Sequence, residues 1–398
     1  MDNTREGGAG PEPPEPTPYP LPSVRDLHDP FGWYEEMRNG GSVQYDPKRG
    51  VYDVFSYQHV KEGLADGERL TRPDLATAKS NTPLSYIDEA IVWTDGPRHT
   101  QSKAELFPSF TPGRVAEFRE QIAAIVESQL RLAVADGPRF DFVSEFASPV
   151  PLRVIMEFVG VPEHEQDRVL DWLLQFRAQR HSEFDRFGSG QPSHMSEAVE
   201  YFEDLVAKRQ SDPRDDLVSQ LVTDTDLDDV TIGANAFNFI LAGQGTLTNL
   251  LSNAVYLFDE HDLIGDLGQY DLEVVVEEVL RYRSPLQSRA RVTTQSTTLG
   301  GTDIPEGETV ILWIGSANRD PAQFTDPDSF IPDRDPDHLS FGRGAHTCIG
   351  APLARLEAPI ALRTLFESVG RITVGEDHRP TANPSELGFE RLSVEIES

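Results

Sequence analysis

The residues best suited to chemistry gather in one loop, His338-Leu-Ser-Phe341-Gly342-Arg-Gly344-Ala-His346-Thr-Cys348-Ile-Gly350, which holds the only cysteine of 398 residues. Cys348 stands just ahead of a helical stretch, Ala351 to Val369. A thiol at a helix N-terminus is favoured as thiolate by the dipole and the free N–H groups. A thiolate held in that way is the proximal ligand that a haem iron needs. Glycines 342, 344 and 350 let the backbone take positive φ and leave room for a large flat group against it. Two plainer readings compete: a buried small hydrophobe, and a Cys/His nucleophile with His346. The second lacks an orienting third group, and residues two apart rarely face each other productively.

The surrounding pattern separates these readings. Phe-Gly-x-Gly-x-His-x-Cys-x-Gly, from Phe341 to Gly350, resembles the haem-binding signature of the cytochrome P-450 family of haem-thiolate monooxygenases. Three further segments resemble that family in the expected order. Ala242-Gly243-Gln244-Gly245-Thr246 is similar to its oxygen-binding Ala-Gly-x-Glu/Asp-Thr, with Thr246 at the proton-delivering threonine. Gly245 stands where an acid is usual, and Gln244 beside it is a candidate substitute. Glu278-Val-Leu-Arg281 resembles the structural Glu-x-x-Arg motif, with Arg334 as its partner arginine. His99 and Lys103, four apart on one helix face, match a His/Arg pair that reaches a haem propionate; lysine replaces arginine and offers a point charge without the bidentate fork. Arg291 and His338 resemble two further propionate positions.

The resemblance covers about residues 23–398 and implies a mainly α fold with small β sheets, haem b lying between the long central helix and the cysteine loop. It also implies oxygen insertion into a small lipophilic substrate, with electrons from a separate ferredoxin and ferredoxin reductase and NAD(P)H as ultimate donor. Loss of the acid at 245 invites an H2O2-dependent peroxygenase as an alternative. A non-catalytic haem-thiolate sensor is a second, against which Thr246 argues. Implied substrate contacts are Phe237, Ile240 and Leu241 on the central helix, Leu286, Gln287 and Ser288, Arg391 and Leu392 near a strand tip, and the segments 70–92 and 175–192. The last of these is read as part of a lid.

Composition bounds the rest. A formal net charge of −32 and a pI near 4.6 repel nucleic acid and anionic membranes, so neither is an expected partner. Self-repulsion of that size is screened by salt, which suits a salt-rich cytoplasm and suggests a halophile. A single cysteine excludes an intrachain disulfide and fits a reducing compartment. Arg98, Lys103, Arg114, Arg343 and Arg355 are expected to form a local cationic patch for an acidic electron donor. No signal peptide, nucleotide-binding glycine motif or internal repeat is visible.

Periodicity supplies the frame that positions these groups. Residues 1–22 read as a Pro/Glu-rich disordered tail. Helices are expected at 29–39, 112–135, 145–159, 163–180, 193–210 and 272–283. Strands are expected at 42–45 and 51–55 as a hairpin, then at 292–298 and 309–314, with edge strands at 371–374 and 392–397. Thr231 to Phe258 carries no charged residue. Its asparagines and Gln244 are spread round the helix, which favours a long core helix over a lipid-facing one. Glycines at 243 and 245 suggest a bend or groove in it.

Overall fold

The computed structural model describes residues 28–72, 86, 88–178 and 195–397. The tail 1–22, most of 70–92 and the centre of the expected lid lie outside the described residues.

The long uncharged run forms one helix. Among the described residues the helices of eight residues or more are α1 (Phe31–Gly40), α2 (Tyr57–Ala65), α3 (Gly96–Leu106), α4 (Arg119–Ala133), α5 (Pro149–Val159), α6 (Gln166–Ala178), α7 (Met195–Ser211), α8 (Leu217–Asp224), α9 (Asp229–Glu260), α10 (Leu272–Tyr282) and α11 (Ala351–Val369). Helix α9 is 32 residues long and is capped by Asp228, whose carboxylate accepts the Thr231 N–H at 2.7 Å. It packs against α5, α7, α8, α10 and α11 at once, so almost every face meets protein. Its asparagines explain why an apolar helix carries amides at all. Asn235 accepts the Ile91 N–H at 2.9 Å, and Asn253 donates to the carbonyls of Arg283 and Leu387. Each amide satisfies a backbone group of a neighbouring segment that would otherwise be buried without a partner. Among the described residues no helix is long and apolar enough to cross a membrane.

Three sheets flank this helical body. The strands are β1 (Val43–Asp46), β2 (Val51–Val54), β3 (Leu70–Thr71), β4 (Arg139–Asp141), β5 (Arg289–Thr293), β6 (Thr297–Leu299), β7 (Thr302–Ile304), β8 (Thr309–Leu312), β9 (Arg371–Pro380) and β10 (Phe389–Glu397). They assemble in the orders β1-β2-β8-β5-β3, β4-β10-β9 and β6-β7. The expected hairpin is present as β1 and β2, antiparallel with Val43 opposite Val54. The region 292–298 divides into β5 and β6 across a turn. Residues 392–397 are not an edge strand: β10 lies between β4 and β9. Helices α2 and α8, absent from the periodicity reading, pack their apolar faces inward, and the expected helix 112–135 breaks after Ala116.

One buried ionic network joins the helices to the meander before the cysteine. Glu278 and Arg281 on α10 are both fully buried and form a bidentate pair at 2.6 and 2.8 Å. Arg334 reaches the same carboxylate at 3.1 Å, and the Ile331 N–H adds a bond at 3.0 Å. The remaining Arg281 donors go to the carbonyls of Asn318, Pro327 and Ser329. Removing one partner of a fully desolvated pair costs more than the pair contributes, because the other charge stays behind. Arg281→Leu should therefore lose about 3–5 kcal/mol. Denaturant midpoints at unchanged slope check this, and a midpoint equal to the wild type's would show the network to be dispensable.

Candidate active site

The chain from Leu339 to Gly350 folds back on itself. The Cys348 N–H donates to the Phe341 carbonyl at 2.8 Å, closing the loop, and α11 begins three residues later. Gly342 and Gly344 take φ of 74° and 75°, as expected. At Gly344 a side chain is excluded twice over, since a Cβ would lie 2.7 Å from the Ala65 Cα of α2. Gly350 departs from expectation: its φ is −80°, and a Cβ there would meet the Cys348 sulfur only at an ordinary contact distance of 4.0 Å.

Cys348 opens on a large internal cavity. The N–H groups of Gly350 and Ala351 point at its sulfur, and Arg289 and Lys103 add positive potential. Burial nevertheless outweighs them and pushes the thiol above its ordinary value. The helix N-terminus alone does not make this a thiolate; a bound cation would invert that balance.

Helix α9 forms another part of the lining. Asn238, Phe239, Ala242, Gly243, Thr246, Leu247 and Leu250 share one helical face and line the cavity. Thr246 Oγ1 donates to the Ala242 carbonyl at 3.1 Å. The helix runs unbroken through 243–245. Gly243 has a packing reason instead: a Cβ there would sit 3.2 Å from Ile155 of α5, so glycine sets how closely the two helices approach. Gln244 is turned away, donating to Ser148 Oγ at 2.7 Å and to Thr248 at 3.3 Å. Gly245 is half-buried and off the cavity lining.

A cationic edge completes the enclosure. His99, Lys103 and Arg291 line it, joined by Arg72, Arg289, Arg343 and His346. His99 and His346 pack ring against ring at 4.1 Å, and His346 Nε2 bonds Asp95 at 2.6 Å. Lys103 Nζ donates to the carbonyls of Ala345 and Thr347, so it also ties α3 to the cysteine loop. His338 is not part of this edge: its Nε2 bonds Glu277 at 3.0 Å, a carboxylate shared with Arg355. His346, inside the motif itself, was visible in the sequence but was weighed there only as a partner for a nucleophile. Arg289 shares a strand face with Arg291 by simple alternation, a signal that could have found it.

The substrate expectations divide in the same way. Leu286 lines the cavity. Phe237 and Ile240 are buried in the core, Phe237 against Phe202, and Leu241 packs beside them. Gln287 is buried with its Oε1 accepting from Tyr34 at 2.7 Å, and Ser288 is likewise buried off the lining. Leu392 is fully buried within the sheet, and Arg391 pairs with Asp377 on the surface. The expected cationic docking patch is locally neutralised. Arg98 pairs with Glu89, Arg114 with Glu117 and Asp215, Arg343 with Asp337, and Arg355 with Glu277.

The residues present fit a haem. A soft sulfur ligand faces the cavity, an apolar surface spans it, and cations gather at one edge where two propionate carboxylates need them.

Comparison with known proteins places this arrangement. Residues 271–391 match the family model described as Cytochrome P450. The chain is 34% identical over 391 residues to "Cytochrome P450 109" of Bacillus spizizenii, covering 94% of each. It is 32% identical over 370 residues to "Erythromycin C-12 hydroxylase" of Saccharopolyspora erythraea, covering 90% of this chain and 91% of that one. Among solved structures it resembles CYP109E1 from Bacillus megaterium in complex with testosterone, with a TM-score of 0.83 and 30% identity over 95% of this chain and 100% of that one.

The imidazole pair carries a pH signature. Burial first, then His346, Lys103 and Arg72, lowers His99 to about 4, with Asp95 opposing. The unfolded chain takes a proton near pH 6.5 that the folded His99 refuses until about pH 4. Stability of the haem-free protein is therefore lost as pH falls through that window. Asp95 acts lower down: burial would raise it, but hydrogen bonds from His346, Thr71 and Arg72 hold it below the usual carboxylate range. His99→Asn should flatten the loss between about pH 6.5 and about pH 4. Urea midpoints across that range test this, and parallel wild-type and variant curves would contradict it.

Proposed function

The chain belongs to the cytochrome P450 family, and on that premise we propose that it oxidises a lipophilic molecule with electrons from a separate ferredoxin. As a family member it is a haem-thiolate monooxygenase, with haem b as cofactor and the Cys348 thiolate as axial ligand. The observation that carries the reading is that Cys348 and Thr246 line one cavity with a cationic edge.

When bound, haem supplies the activation of O2 and the insertion of one oxygen atom. The chain's own groups do the rest. The N–H groups of Gly350 and Ala351 favour negative charge on the Cys348 sulfur. His99, His346, Arg289 and Arg291 are the groups to hold the propionates, with Lys103 fixing α3 beside them. Thr246 keeps a hydroxyl proton on the cavity side of α9. Ile91, Ile155, Phe239, Leu247, Pro285 and Leu286 exclude water and favour an apolar substrate. Asn238 is a polar handle within that apolar lining, suited to a hydroxyl or carbonyl of the substrate. The relatives named for erythromycin hydroxylation and bound to testosterone make macrolides and steroids the first classes to screen.

The chain carries no nucleotide-binding glycine motif, which supports an external ferredoxin and ferredoxin reductase drawing on NAD(P)H. A net charge of −32 with a neutralised patch repels an acidic ferredoxin. It also suits the salt-rich cytoplasm of a halophile. Screening shortens the reach of that repulsion to about 8 Å at physiological ionic strength and less above it. Stopped-flow reduction by an acidic ferredoxin should therefore quicken as salt rises while the protein stays folded; slowing from the lowest salt upward would contradict it.

The assignment itself is tested by the CO-bound reduced spectrum. Wild type should give the strongly red-shifted band of thiolate ligation, and Cys348→His should lose it while keeping some haem. An unchanged spectrum in that variant would overturn the role of Cys348. Product formation with O2 and a surrogate ferredoxin, set against H2O2 alone, distinguishes a monooxygenase from a peroxygenase.

A further inference from the structure

The cavity borders α9 from Asn238 to Leu250, and the helix face that it uses continues toward the N-terminus beyond that end. Asn235 and Thr231 stand three and seven positions before Asn238, on its side of the helix. They meet protein there. Asn235 is fully buried; its Oδ1 accepts the Ile91 N–H at 2.9 Å, and its Nδ2 donates to the Thr231 carbonyl at 2.8 Å. The second bond sets which way the amide points, so that its oxygen is offered to Ile91.

Ile91 itself lines the cavity, with Val92 beside it. It opens the short 3-10 turn Ile91–Trp93, so its N–H has no partner within the turn, and an apolar lining offers none. The far end of the turn is held separately. The Thr94 N–H and hydroxyl both donate to the Ile91 carbonyl, and Asp95 bonds His346 of the cysteine loop. The turn thus hangs between α9 and that loop. Tyr86 also packs on α9: a Cβ at Gly233 would come within 2.0 Å of its hydroxyl, which has no hydrogen-bond partner among the described residues. That contact limits approach, whereas the Asn235 bond fixes position.

We propose that Asn235 is a positioning residue for substrate selection: by holding the Ile91 backbone it sets where the cavity ends along α9, and hence the length of molecule that the site accepts. From Thr246 to Asn238 the helix rises about 12 Å, and Ile91 closes that span. A wall carried by a backbone pinned to a helix yields less than a side chain free to change rotamer. Asn235 lies off the lining and acts through Ile91. Asn253 supplies the contrast, an equally buried amide of α9 that bonds the carbonyls of Arg283 and Leu387, neither of which lines the cavity.

This rests on Cys348 holding haem, and the experiment separates the two. n-Alkylimidazoles of graded chain length are titrated into the haem-loaded protein, the imidazole binding iron and the chain entering the cavity. Affinity for wild type should rise with length and then break, falling roughly tenfold once a further methylene meets the wall. In Asn235→Leu, similar in volume but without an acceptor, the break should move to longer chains while the CO-bound spectrum stays unchanged. Hydrogen exchange read by mass spectrometry should quicken at 91–93 in the same variant. Asn235→Asp, whose carboxyl keeps an acceptor for Ile91, should retain the wild-type break. Ile91→Ala should move it, and Asn253→Leu should not. Should Asn235→Leu not take up haem, Asn235→Ser, too short to reach Ile91, takes its place. A wild type without a break, the same break in Asn235→Leu or Ile91→Ala, or an equal shift in Asn253→Leu overturns the proposal. A wild type whose spectrum no imidazole shifts defeats the haem assignment instead.

Discussion

The position of the cysteine depends on a buried charge that has no other place to go. Glu278 is fully desolvated, and Arg281 and Arg334 compensate it only while the meander 318–334 is wrapped against α10. That wrapping fixes Asn318, whose carbonyl accepts from Arg281. The Asn318 side chain then holds the lead-in to the cysteine, accepting the Leu339 N–H at 2.8 Å and donating to Ser340 Oγ at 2.9 Å. Ser340 Oγ in turn donates to the Leu280 carbonyl of α10 at 2.7 Å. From there Phe341 and Cys348 are one hydrogen bond apart. A chain of satisfied polar groups therefore runs from an ion pair with no chemistry of its own to the sulfur. Such networks cost much to disturb and so specify a single arrangement.

What could be read from the residues followed the strength of the local signal. The cysteine loop, the long uncharged helix and the Glu278 network are encoded by residue types that have few alternatives in that order. The inward face of α9 was harder. Thr246 alone fixes it, since Ala242, Phe239 and Asn238 stand four, seven and eight positions before it on the same side. Phe237, Ile240 and Leu241 are apolar, yet they lie on the sides that face neighbouring helices, where apolarity is equally required. Hydrophobicity marks burial without saying against what. Short strands such as β3, β4 and β7 carry no period long enough to detect, and their pairing is settled by distant segments. Residues at strand tips misled for a related reason: the β9–β10 turn falls at 381–388, so Leu392 lies well inside the strand.

The distribution of charge links the outside of the molecule to its interior. The sequence has 67 acidic residues against 35 lysines and arginines, and the surface cations near the cysteine are matched to carboxylates nearly one for one. The cavity follows the opposite rule. Arg72, Arg289, Arg291, Arg343, Lys103 and two histidines border it, with Glu357 as its only carboxyl among the described residues. A low-dielectric enclosure lengthens the reach of such fields, whereas salt shortens it at the surface. The interior thus keeps a strong preference for anionic groups at one edge under the ionic conditions that quiet the exterior. That same field opposes protonation of His99 and His346, both of which it lowers together with burial. It does not reach Glu357 in the same way: desolvation alone governs that side chain, with no cation contributing. One cavity thus holds a cationic edge and, on α11, a buried carboxyl whose ionisation burial opposes.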